Sequence, residues 1–249
     1  MPLPGLAEPL RTILLADFHV CRPWWPIPSL LSVVAQVNAL EPDFVFLGGD
    51  FVVSHRMPAG RVREPEISKV LGQLRAKIGI YAVMGNHDWD DGSALPGDGG
   101  EPEIASALRA DGIEVLINQN SDAGPLWIVG TDSQYAKRAD GKKGLHDLGR
   151  ALDGVPTGKP TLLLAHEPDI FADDARVPDL TLSGHTHAGQ MNLFGWRPFT
   201  PSRYGGKYAY GHHEKDGKHL IVTSGFGYSG LPMRIGAAPE ITEVTLVPA

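Results

Sequence analysis

Five short segments place metal-capable side chains directly after apolar runs: Asp17-Phe18-His19, Gly49-Asp50, Gly85-Asn86-His87-Asp88, His166-Glu167 and Gly184-His185-Thr186-His187. They contain five of the chain's ten histidines. Carboxylate, imidazole and amide donors without a thiolate suit Mn²⁺, Fe or Zn²⁺ and disfavour Cu(I). Asp17 and His19 stand two apart, as do His185 and His187, so extended backbone would send each pair out of one face toward one ion. Gly49, Gly85 and Gly184 precede ligand positions, where the chain must turn sharply and allow close backbone approach. Any one of these motifs alone reads as an ordinary strand end or turn. Their joint occurrence points to a metal centre.

The elements that must position these residues are legible around them. Residues 12–16, 43–47, 79–84, 161–165 and 179–183 are apolar runs of strand length, as expected of buried strands. A helix starting at Pro28-Ser29 and running through LLSVVAQVNAL, and helices over Glu64–Lys77 and Glu101–Ala110, alternate with them. In such a β-α-β-α order the carboxyl ends of strands are where ligand sites form. Further on, residues 207–213 and 218–224 flank EKDGK, whose Asp216-Gly217 is a hairpin signal, and ITEVTLV alternates as a half-buried strand. The sheet content is therefore mixed, and the glycine-rich GDGG at 97–100 reads as one surface loop.

Composition excludes several classes. With 249 residues the chain is expected to be a single domain, residues 1–249. A net charge of −7 argues against a surface built to neutralise nucleic-acid backbones. The single cysteine, Cys21, excludes an internal disulfide and multi-thiolate zinc, and suggests a reducing compartment. The first residues lack the charged start and apolar core of a secretory signal, and the longest mainly apolar stretch, Trp24 to Val37, is too short to span a bilayer, so a cytoplasmic location is expected.

The ordered set Asp-x-His, Gly-Asp, Gly-Asn-His-Asp, His and Gly-His-x-His resembles the calcineurin-like metallophosphoesterase superfamily. LSGHTHAGQ and SGFGYSGLPMRIGAAPEI are similar, more narrowly, to its YkuE/YaeI-type branch. The resemblance implies an α/β fold, a four-layered α/β/β/α sandwich of two mixed sheets. It implies a binuclear, metal-dependent phosphoester hydrolase in which a metal-bridging hydroxide attacks phosphorus in line. Asp17, His19 and His187 would hold one divalent ion, Asn86, His166 and His185 the second, with Asp50 bridging. His87 would be the unligated catalytic histidine, oriented by Asp88.

Charge arithmetic agrees with this implication. Two divalent ions, less two aspartates and one hydroxide, leave a core of about +1 that attracts a phosphate, and an amide at Asn86 completes coordination without cancelling that charge. Such a core compensates a singly charged diester fully, so phosphodiesterase activity is expected. Purple acid phosphatases carry tyrosine three residues after the bridging aspartate; this chain has Val53, which argues against a tyrosinate–iron centre. Phe18 and Glu167 depart from the branch's usual residues without removing a ligand, though Glu167 would add negative charge nearby.

Other features carry weaker implications. Gly225-Phe-Gly227-Tyr-Ser-Gly230 matches a dinucleotide fingerprint formally, but Pro232 follows and too little chain remains for a βαβ unit. The segment is better read as a loop near the site, offering Tyr228 or Arg234 to the phosphoester substrate. Trp24 and Trp25 read as a packed loop or, alternatively, as an apolar wall or peripheral lipid contact. Histidines 55, 146, 212, 213 and 219 read as solvated. Two other functions fit the same pattern: hydrolysis of a lipid-linked pyrophosphate of the UDP-2,3-diacylglucosamine kind, and a non-catalytic interaction scaffold. The intact ligand set counts against the scaffold.

Overall fold

Alternation of side chains along the central strands decides the architecture. In a computed structural model, which describes residues 1–53, 60–90, 100–137 and 144–249, the chain runs β1 (Pro2–Leu3), β2 (Leu10–Leu15), β3 (Cys21–Arg22), α1 (Ile27–Ala39), β4 (Phe44–Leu47), β5 (Gly60–Arg61), α2 (Glu64–Leu71), β6 (Gly79–Ala82), α3 (Glu103–Ala110) and β7 (Glu114–Val115). It continues through β8 (Gln119–Asp122), β9 (Trp127–Gly130), α4 (Leu148–Ala151), β10 (Thr161–Leu164), α5 (Ile170–Asp173), β11 (Leu180–Ser183), β12 (Gly211–Lys215), β13 (Lys218–Val222) and β14 (Thr242–Pro248). Among the described residues these form two six-stranded sheets, ordered β1-β14-β2-β4-β6-β7 and β12-β13-β11-β10-β9-β8, and a small β3-β5 ribbon. Both sheets are mixed: β2, β4, β6 and β7 run parallel beside antiparallel β14, and β9, β10, β11 and β13 run parallel beside antiparallel β8 and β12.

Leu14, Phe44, Phe46 and Tyr81 of the first sheet pack against Ile128, Leu162, Leu164, Leu180 and Leu182 of the second, so this core lies between the sheets. The alternate residues Ile13, Leu15, Val45 and Leu47 face the other way, onto Leu30, Val33 and Val37 of α1 and Ile67 and Leu71 of α2. Val129, Leu163, Leu220 and Val222 likewise meet Leu148 of α4 and Ile170 and Phe171 of α5. Strands buried on both faces read as continuous apolar runs, and the period-2 split assigns each residue to one of two cores. The result is the expected α/β/β/α sandwich of four layers.

The helices follow the same logic. Leu30, Val33, Val34 and Val37 recur at helical spacing on the buried stripe of α1, whose first turn carries Pro28. The helix expected over Glu64–Lys77 stops at Leu71, and its C-cap, Gly72, is held to glycine by Asp111 after α3, whose side chain a Cβ there would approach within 2.9 Å. The strand expected from residue 207 starts only at Gly211. Gly205–Tyr208 instead closes a 3-10 turn that drives Tyr208 edge-on against Phe171. Asp216 and Gly217 turn the β12-β13 hairpin with positive φ at both residues, as an Asp-Gly type I′ turn requires. His55 and the glycines at 97 and 99 lie outside the described residues.

Candidate metal centre

Every strand that precedes a candidate ligand ends at the same edge of the sandwich. Asp17 and His19 follow β2, Asp50 follows β4, Asn86 and His87 follow β6, His166 follows β10, and His185 and His187 follow β11. Backbone bonds continue each sheet's pairing past its strand ends at this edge: Asp17 N–H donates to Gly49 O (3.0 Å) beyond β2-β4, and Gly184 N–H donates to His166 O (3.0 Å) beyond β10-β11. His166 Nδ1 sits 2.7 Å from Gly48 O, so the second sheet's histidine is oriented by the first sheet's backbone.

Two groups of donor atoms result. Asp17, His19 and His187 form one and Asp50, His166 and His185 the other; within each group the donor atoms lie within 4.8 Å of one another and all six residues are buried. In the first, His19 Nε2 lies 3.2 Å from His187 Nε2 and Asp17 Oδ1 lies 3.5 Å from His187 Nε2. In the second, His166 Nε2 lies 3.2 Å from both His185 Nδ1 and Asp50 Oδ2. Asp50 Oδ2 is also 3.5 Å from His19 Nε2, so one carboxylate oxygen stands between the groups. The paired histidines His185 and His187 therefore part company, one in each group.

The backbone that produces this convergence is not extended. Asp17, His19, Asp50, His185 and His187 have φ of 54°, 42°, 56°, 71° and 51°. Left-handed conformations in non-glycine residues cost about 1–3 kcal/mol each and persist where the surroundings over-determine them. Left-handed and not extended backbone thus brings Asp17 and His19 to one group, as their spacing leads one to expect, but sends His185 and His187 to different groups. Close packing supplies the constraint. A Cβ on Gly85 would come within 2.2 Å of Asp50 Oδ1, and one on Gly227 within 2.3 Å of Phe18 O. Those glycines let the β6 and 225–234 loops lie directly on the ligand-bearing turns. Beneath them Phe18 stacks between Phe51 (5.4 Å) and Phe226 (5.6 Å), and Trp25 stacks on Phe226 (5.7 Å). The unusual Phe18 is thereby explained, and Trp25 is a packed residue, while Trp24 remains exposed.

Burial sets the protonation states. It lowers His19 to about 4 and His185 to about 3, and it holds His187 well below the ordinary value with help from nearby His19 and Arg234. These imidazoles stay neutral and keep lone pairs for a cation. Burial also raises Asp17 to about 7. It would raise Asp50 too, but His166, His87 and His19 outweigh it and hold Asp50 well below the usual carboxylate range. Against its own burial, His166 is held well above the ordinary value by Asp50. Buried Asn86 Oδ1 has no hydrogen-bond partner among the described residues. An orphaned acceptor beside two knots of facing nitrogens and carboxylate oxygens is the donor set that a pair of divalent cations satisfies.

Residues around these groups take roles that sequence reasoning partly missed. His87 joins neither group, and its ring meets that of His19 edge-on at 5.3 Å. Its backbone N–H donates to Asp50 Oδ1 (2.9 Å), and its Nδ1 pairs with Asp90 Oδ2 at 2.9 Å. The expected orienting residue, Asp88, instead accepts the backbone N–H groups of Asp50, Phe51 and Gly85, each at 2.8 Å. Glu167 directs its carboxylate at Ser133 Oγ and at the N–H of Gln134 (2.8 Å), so its charge organises the loop after β9. That loop brings Tyr135 flat against His185, with ring centroids 5.1 Å apart, and the tyrosine hydroxyl donates to Asp169 Oδ2 (2.7 Å). Tyr228 packs on Cys21 and Val53. Arg234 binds the carbonyls of Gly227 and Ser224 (both 2.9 Å), and its Nη2 lies 3.1 Å from His187 Nδ1. His212 pairs with His219 across the hairpin, away from both groups.

Sequence comparison points the same way. The chain is 34% identical, over 98% of its own length and 54% of the relative's, to a transmembrane protein with metallophosphoesterase domain from Danio rerio. It is 30% identical to the phosphodiesterase YaeI of Escherichia coli, covering 97% of this chain and 83% of that one. Against the metallophosphoesterase YkuE of Bacillus subtilis it is 28% identical over 98% and 81%. The chain thus spans about half the length of the fish protein and less than two-thirds of several other curated relatives. Among its own described residues no helix is long and apolar enough to cross a membrane. Residues 10–189, which carry all five motifs, match the calcineurin-like phosphoesterase family, and the chain belongs to that family.

Proposed function

We propose that this chain hydrolyses phosphoesters, diesters at least as readily as monoesters. Two divalent ions would be held by Asp17, His19 and His187 on one side and by Asn86, His166 and His185 on the other, with Asp50 between. The reading rests on one observation above all: Asp50 Oδ2 stands 3.5 Å from His19 Nε2 and 3.2 Å from His166 Nε2. When bound, the ions supply the Lewis acidity that activates water as a nucleophile and offsets charge on the phosphoryl group.

The chain's own groups do the rest. Asp17 fixes the turn between the paired histidines by accepting His185 N–H at 2.9 Å. His87, anchored at Nδ1 by Asp90, is left with Nε2 to donate to a phosphoryl or leaving-group oxygen. Burial lowers its basicity, but Asp50 and Asp90 outweigh that and raise it above the ordinary histidine value, favouring the protonated form. Arg234 spends its donors on backbone carbonyls, so it acts by clamping the 225–234 loop and not by meeting a monoester's second charge. Strain at five candidate ligand positions argues against a purely docking role for the fold. The single buried Cys21 suits a reducing compartment such as the cytoplasm, and we treat residues 1–249 as one catalytic domain.

The test compares kcat/KM for bis-p-nitrophenyl phosphate and p-nitrophenyl phosphate at one pH and one Mn²⁺ concentration. Parity or a diester preference is expected, with Arg234→Ala lowering both substrates alike. A strong monoester preference would overturn the charge argument.

A further inference from the structure

The segments carrying the wall of the site are unlike the rest of the chain. Residues 180–213 and 219–239 contain four Lys or Arg and no Asp or Glu, whereas the remaining residues hold 18 Lys and Arg against 29 Asp and Glu. Nine of the twelve exposed large hydrophobic side chains among the described residues fall in these two segments. Phe194 is fully exposed, and Trp196, Phe199 and Leu231 are 64%, 69% and 60% exposed.

These side chains form one structure. Leu193 and Trp196 bond each other's backbone (2.9 and 3.0 Å), with Phe194 and Gly195 both at positive φ, so Phe194 sits at the tip of a tight turn. The turn is stapled to the second segment: Asn192 N–H donates to Ile235 O (2.7 Å), Ile235 N–H to Gln190 O (2.9 Å), and Gln190 Nε2 to Leu231 O (2.8 Å). Phe194, Trp196, Phe199, Leu231, Met233 and Ile235 are thus presented by two bonded loops that begin three residues past His187. Arg203 is taken up by Asp169 and Asp173, whereas Arg197, next to Trp196 in the chain, is half-buried and Lys207 of the same segment is exposed.

We infer that this patch docks the protein on an anionic lipid surface. Exposed apolar side chains of this size and density are unfavourable in water unless something covers them. Large apolar and aromatic side chains on segments that themselves carry cations and no Asp or Glu suit the headgroup layer of an anionic bilayer, which would otherwise repel a chain of net charge −7. Two further exposed aromatic residues of the first segment have amphipathic tips, Tyr204 and Tyr210, each keeping its hydroxyl on a carboxylate. Docking there would set the metal centre against phosphoesters at the membrane surface, a consequence that rests on the hydrolase reading; the docking itself does not.

Cosedimentation of the full chain with vesicles of equal parts phosphatidylglycerol and phosphatidylcholine tests it. Wild type should bind these vesicles and bind pure phosphatidylcholine far less. Phe194→Ser with Trp196→Ser, both on an exposed turn, should cut the bound fraction roughly tenfold, and Lys207→Gln roughly fivefold. Hydrolysis of soluble bis-p-nitrophenyl phosphate should be unchanged in both variants, which shows that they fold. Absence of binding by the wild type, or equal binding by the double variant, would overturn the proposal. So would concentration-dependent self-association that the double variant abolishes without vesicle binding, which would assign the patch to a second copy. Because sedimentation reads binding without turnover, its failure is separable from failure of the hydrolase reading.

Discussion

The carboxylate of Asp88 accepts the backbone N–H of Asp50 at 2.8 Å and thereby holds the residue that stands between the two donor groups. Its other bonds, to Phe51 and Gly85 at 2.8 Å each, tie the β4 and β6 turns into one unit. Asp88 is fully buried, so removing it strands three N–H groups away from water. An unsatisfied buried donor costs about 1–3 kcal/mol. Asp88→Ala should therefore lose roughly 3 kcal/mol or more of stability in urea unfolding of the metal-free protein. A loss under about 1 kcal/mol would show that water or backbone rearrangement replaces the carboxylate.

His87 and Asp90 should separate from the metal-holding residues. His87→Asn is expected to retain metal while turnover falls by ~10²-fold. Asp90→Asn removes a carboxylate that favours protonated His87, so the alkaline limb of the kcat/KM profile should move to lower pH, with metal content unchanged. A profile that stays in place would remove His87 from the proton-donating role.

Much of this site is legible in the amino-acid order because strand ends and ligand types coincide. All seven candidate ligands lie at one edge of the sandwich, and the apolar runs before them are β2, β4, β6, β10 and β11. Other parts leave no local signal. Gln119–Asp122 is a polar edge strand with no apolar run. Tyr135 reaches His185 only because Glu167, from another strand end, folds its loop back. The left-handed backbone at Asp17 and Asp50 contradicts local propensity and depends on glycines that are distant in sequence, as expected where function overrides consistency.

Tyr135 illustrates how such an unsignalled residue is tested. Its ring stacks on His185, and partners behind a ligand are worth roughly 10–100-fold in metal affinity. Tyr135→Ala should weaken one of the two Mn²⁺ affinities by about that factor and leave the other within about twofold, as read by competition with a chelating dye. Equal weakening of both would mean that the substitution disturbs the whole edge.

Metal binding should also displace protons. In the metal-free chain, Asp17 in one group is pushed up to about 7 by burial, and His166 in the other is held above the ordinary histidine value by Asp50. Below about pH 7 each group therefore carries a proton that the cation must expel, while His19 and His185 are already neutral. Calorimetry at about pH 6 in buffers of different ionisation enthalpy should report about one proton released per ion, and affinity should rise with pH through 7. No proton release would contradict these protonation states.

The central claim, two ions joined through Asp50, is tested most directly by titrating metal-free protein with Mn²⁺ while following both bound metal and hydrolysis of bis-p-nitrophenyl phosphate. Activity should climb to its plateau only as occupancy approaches two ions per chain, and Asp50→Asn should lose occupancy and activity together. Full activity at one bound ion, with a stoichiometry that never rises above it, would contradict the account.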